Sequence, residues 1–330
     1  MNRAEKRRQQ KLAEKAAKNQ KHARPAASPL ETPTSSVQQI LDLAVLHHTN
    51  ARLSEAEHLY QQVLQADPNQ PVGLHLLGTI NLQLGKIDEA VKLISKSLII
   101  QPEYIDAHNN LGLAWHKQGH LENAVSSFEK AITLKPGFAE AHCNKGVVLG
   151  DLGRTDEAKS CFQKAISLKP DYIQAHFNLG NTLKNQGRLE EAVNSYHKAI
   201  SINPNYAEAY VNLGMTLHGL ERPDEAMASY RKAIEIRPNY AEAHGCFIFI
   251  QDLLPDIDQT EQQAERKRWN DKFILPLAAK IQPHINNRDP DRRLRIGYVS
   301  ADFCRHSAYF GFGPLILDHD RENFDVICYA

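Results

Sequence analysis

The sequence predicts a mainly α fold, a stack of antiparallel helix pairs, that leads near residue 291 into the start of an α/β unit. Three observations carry this. First, Pro68, Pro102, Pro136, Pro170, Pro204 and Pro238 follow one another at intervals of 34 residues. Second, other positions keep the same phase. A small residue stands 24 places before each proline (Ala44, Gly78, Gly112, Gly146, Gly180, Gly214), an alanine 12 places before (Ala56, Ala90, Ala124, Ala158, Ala192, Ala226), and a bulky apolar residue 8 places before (Tyr60, Ile94, Phe128, Phe162, Tyr196, Tyr230). Third, β-rich apolar runs replace the helical spacing from Leu294 onward. A strict period of this length is the mark of a repeat architecture.

Residues 105–138 show why the period means a helix pair. Their apolar positions fall at helical spacing in two runs, about 105–118 and 122–135. Gly119 breaks the chain between the runs, and Pro136 follows the second. The in-phase glycine and alanine are small because the helices cross closely there. The large residue in the middle of the second helix fills the space beside them. One pair cannot bury its apolar face alone, but a stack can. Period and pattern resemble the tetratricopeptide repeat, with six repeats over 37–240. The first is degraded, with Ala51 in place of the loop glycine and Val63 in place of the alanine five residues before the proline. An atypical first repeat suits an end cap. The sixth carries Glu221 in place of the loop glycine.

Ahead of the array, residues 1–36 read as a basic, disordered tail and linker. Residues 1–24 hold nine Lys/Arg against Glu5 and Glu14, and a Pro, Ser and Thr segment follows to 36. The basic run has no Trp, Tyr or Phe to stack on bases. Formal net charge over the 330 residues is zero, which gives no reason to expect nucleic acid or an anionic membrane as partner. The five cysteines (Cys143, Cys161, Cys246, Cys304, Cys328) show neither CxxC spacing nor a disulfide framework. No apolar run reaches membrane-spanning length, and the charged start lacks the apolar core of a secretory signal. A cytoplasmic location is the expectation.

Within the array, the first helix of each repeat should line the inner groove. Two residues before the small residue, four successive repeats carry asparagine: Asn110, Asn144, Asn178 and Asn212; the first two repeats have Asp42 and Leu76 there. An amide offers donors and an acceptor, so a ladder of amides can hold the backbone of an extended peptide irrespective of its sequence. The same spacing also fits asparagines that bond a neighbouring helix. His108, His142, His176 and His244 recur in one phase, with Tyr210 in the same phase between the last two. Equivalent residues in neighbouring repeats are roughly 10 Å apart, too far to share a metal ion whose ligands sit about 2 Å from it. No metal site is expected, and these histidines read as packing or groove-lining residues. Cys143 and Cys161, on the two helices of one repeat, read as small buried hydrophobes.

Residues 241–290 read as capping helices and a hinge. A seventh first helix runs from Ala241 to about 254, with Cys246 and Ile248 at the asparagine and glycine positions, and Pro255 ends it. A charged helix over about 258–272 follows, anchored by Trp269 and Phe273, then Pro276, Pro283 and a polar linker at 286–290. Residues 294–301 read as a strand, about 307–318 as a helix and 324–330 as a second strand. This is a βαβ unit with parallel pairing, and it lacks the GxGxxG dinucleotide fingerprint. A parallel sheet needs more than two strands and cover on both faces. The expectation is therefore a truncated α/β domain over 291–330.

Residues 293–306, Arg-Leu-Arg-Ile-Gly-Tyr-Val-Ser-Ala-Asp-Phe-Cys-Arg-His, resemble the opening strand and loop of the protein O-linked N-acetylglucosamine transferases and the Spindly-type protein O-fucosyltransferases. The match continues through Phe-Asp-Val-Ile-Cys-Tyr-Ala at 324–330 and includes Trp269 and the run 289–293. The resemblance implies a tetratricopeptide superhelix that recruits acceptor proteins and leads into two Rossmann-like (GT-B type) lobes. It implies UDP-GlcNAc as donor substrate, no cofactor and no metal, and Ser or Thr hydroxyls as acceptors; fucose is the alternative sugar, and a non-catalytic adaptor the alternative role. It places His306 in the active-site loop, as a base or as a contact to donor or acceptor, with Asp302 orienting that loop. At 310, where some members have a second histidine, this chain has Phe310. The donor contacts of the second lobe are absent from these residues, which predicts that the chain alone is inactive.

Overall fold

The computed structural model describes residues 33–254, 258–278, 294–299 and 324–329, and places side chains within 37–254 and 258–277. Thirteen helices occupy the first stretch: α1 (Pro33–Thr49), α2 (Leu53–Ala66), α3 (Pro71–Gln83), α4 (Ile87–Ile100), α5 (Ile105–Lys117), α6 (Leu121–Leu134), α7 (Ala139–Asp151), α8 (Thr155–Leu168), α9 (Ile173–Asn185), α10 (Leu189–Ile202), α11 (Ala207–Gly219), α12 (Pro223–Ile236) and α13 (Ala241–Leu253). They alternate as first and second helices of successive pairs. The two helices of a pair pack together most extensively, and each second helix also packs on the first helix of the next pair. Consecutive first helices from α3 to α13 meet as well. The first helices therefore form the inner layer of a superhelical array and the second helices the outer one.

The close crossing has a direct steric signature. A Cβ built on Gly112 would stand 2.7 Å from the Phe128 ring, on Gly146 2.7 Å from Phe162, on Gly180 2.6 Å from Tyr196 and on Gly214 2.6 Å from Tyr230. In the second repeat Ile94 takes the ring's place against Gly78. These large residues and all six in-phase alanines are buried, and burying one such apolar side chain stabilises by roughly 1.5–3 kcal/mol. Ser97 stands where most repeats have an alanine five residues before the proline. It is fully buried, and its hydroxyl donates to the Pro71 carbonyl at 2.7 Å, which removes the penalty of an unpaired buried group.

The loop between the helices of a pair turns through the left-handed region. Gly119 does so with φ +80°, and Ala51 and Glu221 adopt the same turn with φ +58°. Pair packing thus imposes the turn even where a side chain makes it cost about 1–2 kcal/mol. Second helices open on acidic first turns, such as Asp156–Glu157, Glu190–Glu191 and Asp224–Glu225, favourable against the partial positive charge of a helix N-terminus.

After the sixth pair, α13 keeps the first-helix role, with Phe247 and Ile250 in the core. The capping helix α14 (Gln259–Trp269) packs on it. Gln262 donates to the Gln251 carbonyl and Arg266 pairs with Asp252, and the buried link is Glu265, a carboxylate bonded to His244 Nδ1 at 2.9 Å and to Arg268 at 2.7 Å. A π turn (Asn270–Ile274) and the short helix α15 (Leu275–Ala278) follow, where the sequence suggested one helix ended before Pro276. Proline is tolerated in a first helical turn, where its missing N–H has no partner to lose, so Pro276 sits inside α15.

The chain divides into two compact units, Met1–Asp271 and Lys272–Ala330. In the second, β1 (Leu294–Val299) and β2 (Phe324–Tyr329) pair in parallel, with Leu294 opposite Phe324 and Val299 opposite Tyr329. Both strands lie where the sequence placed them. The helix expected at about 307–318, the linker at 286–290, Pro255, Pro283 and residues 1–32 of the tail and linker fall outside the described residues, while 33–36, expected as linker, already belong to α1. A parallel pair of strands is shared by many α/β folds, and does not by itself define a Rossmann-like lobe.

Gly146→Ala tests the crossing. Better helix propensity favours alanine by about 1 kcal/mol, while overpacking against Phe162 costs typically 1–3 kcal/mol. Urea denaturation should show a net loss of about 1 kcal/mol, partly recovered when Phe162→Leu is added. An unchanged or raised midpoint would show that the ring is not confined by the glycine.

Candidate functional site: an amide ladder on the first helices

Asn110, Asn144, Asn178 and Asn212 lie one per repeat on α5, α7, α9 and α11, each half-buried. Each directs its amide N–H groups at the first helix before it. Asn110 Nδ2 donates to His75 Nε2 at 2.9 Å and to Thr79 Oγ1 at 3.1 Å. Asn144 Nδ2 donates to Asn109 Oδ1 at 3.1 Å, and Asn109 in turn donates to Glu140 at 3.3 Å. Asn212 Nδ2 donates to Asn181 Oδ1 at 3.1 Å, an oxygen that also accepts the Tyr196 hydroxyl at 2.7 Å. Asn178 Nδ2 lies 4.0 Å from the Cys143 sulfur, the weakest of the four. The ladder therefore bridges successive first helices. Among the described residues the carbonyls of Asn110, Asn144 and Asn178 have no donor, while that of Asn212 has Lys184 Nζ at 3.5 Å.

Sequence periodicity did not reveal His75, Thr79, Asn109 or Asn181. His75 is one residue out of phase with the recurring histidines, and the others become partners only through the register between helices more than thirty residues apart. An isolated polar residue on an otherwise apolar helix face, as His75 is in α3, was the one available signal.

The recurring histidines have a definite task. His108, His142, His176 and His244 each bring Nε2 to the carbonyl of the proline six residues earlier, at 2.8, 3.1, 2.9 and 3.1 Å. An imidazole N–H thereby satisfies a carbonyl left open after the second helix and pins the inter-repeat turn. They are packing residues. Cys143 is buried as expected, but Cys161 is half-buried and borders an open cleft, because the second helix that carries it faces outward. Among the described residues no group of three or more His, Cys, Asp or Glu side chains is arranged to hold a metal ion, and no helix is long and apolar enough to cross a membrane. His306 and Asp302 lie outside the described residues.

A one-dimensional stack of helix pairs with an amide in each of four successive pairs belongs to the class of repeat scaffolds, whose curved inner surface offers extended room for partners. The family is shown by the repeats themselves: residues 105–138, 139–172 and 207–240 match the tetratricopeptide repeat, 161–194 a further tetratricopeptide repeat model, and 78–119 and 180–221 the TPR repeat. The chain is a tetratricopeptide-repeat protein. Among curated proteins, 63 residues are 40% identical to the probable UDP-N-acetylglucosamine–peptide N-acetylglucosaminyltransferase SPINDLY of Petunia hybrida, covering 19% of this chain and 6% of that protein. Another match, 51% identical over 39 residues, is to the probable UDP-N-acetylglucosamine–peptide N-acetylglucosaminyltransferase SEC of Arabidopsis thaliana, covering 12% and 4%. The matches thus span a small part of either relative. Among solved structures, the type IV pilus biogenesis factor PilW superposes with TM-score 0.60 at 19% identity, over 64% of this chain and 97% of its own. A chain of the APC/C hetero-tetramer Cut9–Hcn1 gives 0.58 at 16% identity, over 64% and 42%. At these identities the likeness shows the fold alone.

The ladder's first bond makes the array sensitive to acid. His75 is buried, and burial first, then the charge of His48, pushes its pKa down to about 4. The unfolded chain binds that proton more readily, so the contribution is intact above pH 6.5 and lost as pH falls from 6.5 toward 4. The full span corresponds to about 3 kcal/mol. Urea midpoints between pH 7 and 4 should fall more steeply for the wild type than for His75→Leu. Parallel slopes would contradict this assignment.

Proposed function

We propose that the array holds extended segments of acceptor proteins by their backbone, for a protein O-glycosyltransferase that moves N-acetylglucosamine from UDP-GlcNAc to Ser or Thr. The observation that carries the first half is the ladder. Each asparagine is anchored through an N–H to the preceding repeat, and in three of four the carbonyl is left for another donor. Anchoring before binding lowers the entropy lost on association. An extended chain advances about 3.3 Å per residue and helices pack about 10 Å apart, so a peptide running along the array would meet one amide about every third residue. Backbone N–H groups are common to all peptides, and the grip would show little sequence preference.

The second half rests on the short similarities to the two plant transferases and on the resemblance of 293–330. In this reading His306 takes the proton of the acceptor hydroxyl, or hydrogen-bonds donor or acceptor, while the hydroxyl oxygen attacks the anomeric carbon and the nucleotide diphosphate leaves with the bonding electrons. A histidine suits proton transfer near neutral pH. Asp302 orients the loop. Fucose as the transferred sugar is the alternative within this reading, since donor selection belongs to residues outside the described set. A non-catalytic adaptor is the second reading. It is favoured by the confinement of the curated matches to 63 and 39 residues.

One capture experiment separates these. Proteins retained on the immobilised wild-type chain are compared with those retained on the Asn144→Ala, Asn178→Ala double variant, and both sets are analysed by mass spectrometry for sugars on Ser and Thr. Removal of two hydrogen bonds, each worth about 0.5–1.5 kcal/mol, should lower recovery of most partners about tenfold, irrespective of sequence. The wild-type set should be enriched in O-linked N-acetylhexosamine. Enrichment in fucose selects the alternative sugar, no enrichment selects the adaptor, and equal recovery by both chains leaves the ladder a purely structural feature.

A further inference from the structure

The apolar row of the first helices breaks once. Immediately after the ladder position the chain has Leu43, Leu77, Leu111, Lys145, Leu179, Leu213 and Phe247. Leu77, Leu213 and Phe247 are buried, Leu111 and Leu179 half-buried, and Leu43 exposed, so the row runs along the border of the core. Lys145 is confined too: its side chain is 19% exposed, with Nζ 2.6 Å from Glu129 Oε1 on α6. Glu129 is 54% exposed, and a carboxylate that open to water returns little in such a pair. Folding alone therefore gives no reason for a lysine in a row of leucines. Positions where a local rule is broken without a compensating gain in stability are where function is to be sought.

The same place holds an open cleft of about 440 Å³ between α6, α7 and α8, lined by Glu129, Thr133, His142, Lys145, Cys161 and Lys164 among others. Its charged groups are two ammonium groups and one carboxylate. The Lys164 ammonium has no partner among the described residues, whereas Lys145 has Glu129. His142 is held toward its neutral form, chiefly by burial and further by the charges of Lys164 and Lys145, against the bond to Pro136. The Cys161 thiol is pushed up by burial, with Lys145 opposing. One repeat further on Lys164 has the counterpart Lys198, but Lys145 has Leu179, so the paired ammonium groups belong to this repeat.

We propose that this cleft binds an oxyanion, the phosphate or carboxylate group of a ligand or partner, between the ammonium groups of Lys145 and Lys164. Lys145 turns from Glu129 to the anion, and Lys164 closes on it from α8. Charge-assisted bonds of this kind are short and strong, and lysine is a regular phosphate ligand. The site is independent of the amide ladder and of any transferase role.

The test uses the full chain with inorganic phosphate and, separately, acetate, at ionic strength held constant with sodium chloride. Backbone amide shifts around Lys145 and Lys164 are followed by NMR, and the unfolding temperature is measured alongside. The wild type should show saturable shifts with at least one of the two anions. Lys164→Met should weaken binding at least tenfold, and Lys145→Leu should abolish it while unfolding at the same or a higher temperature. Saturation by phosphate alone assigns a phosphate group, and by acetate alone a carboxylate. Shifts that do not saturate, or that are the same in Lys164→Met, overturn the site. A lower unfolding temperature in Lys145→Leu also overturns it, because the lysine would then serve folding.

Discussion

In each of four successive helix pairs an aromatic ring occupies the space left by a glycine's missing side chain: Phe128 against Gly112, Phe162 against Gly146, Tyr196 against Gly180, Tyr230 against Gly214. That approach sets how closely the two helices cross, and most of the array follows from it. Helices held this near must be joined by a tight left-handed turn, which the chain accepts even at Ala51 and Glu221. The apolar face of one pair is then covered by the next pair. Because every pair crosses alike, whatever a first helix carries at a given position is repeated along the inner layer at a constant interval.

The ladder asparagines use that regularity in two ways. Their N–H groups bond the preceding first helix, in two cases to another asparagine, Asn109 or Asn181. This ties neighbouring repeats together through their first helices. It also fixes the orientation of each side chain, so the carbonyl is held rather than free to rotate. Structural bonding and peptide binding, alternatives when judged by spacing alone, are compatible: the first is what would prepare the second. The cap obeys the same economy of parts. His244 repeats the proline contact of its predecessors and adds a bond to the buried Glu265 of α14, turning a repeat feature into a terminus.

The sequence made the helices, the pair crossing and both strands legible, because each depends on residues close together in the chain or locked to the 34-residue period. The partners of the ladder were not legible. Whether Asn144 meets Asn109 or Asn178 meets Cys143 depends on the register between helices about one repeat apart, which no local pattern encodes. His75 stayed hidden by standing one residue out of phase, and Lys145 because a single charge in an amphipathic helix looks like an exposed residue until its neighbours are in place. Cys161 was misread for the complementary reason: a small thiol on a second helix fits a core pattern, and only the cleft beside it shows the outward face. The residues that carry the transferase resemblance most specifically, His306 and Asp302, lie outside the described part, so the catalytic reading still rests on sequence.

The central claim is that the ladder grips peptide backbone while remaining bonded to the repeat before it. A crystal structure of the chain with an extended Ser/Thr-containing peptide tests it most directly. The account predicts peptide N–H groups donated to Oδ1 of Asn144 and Asn178, with both Nδ2 groups still directed at the preceding first helix and about three peptide residues per repeat. A peptide bound elsewhere on the array, or one held only through its side chains, would contradict it.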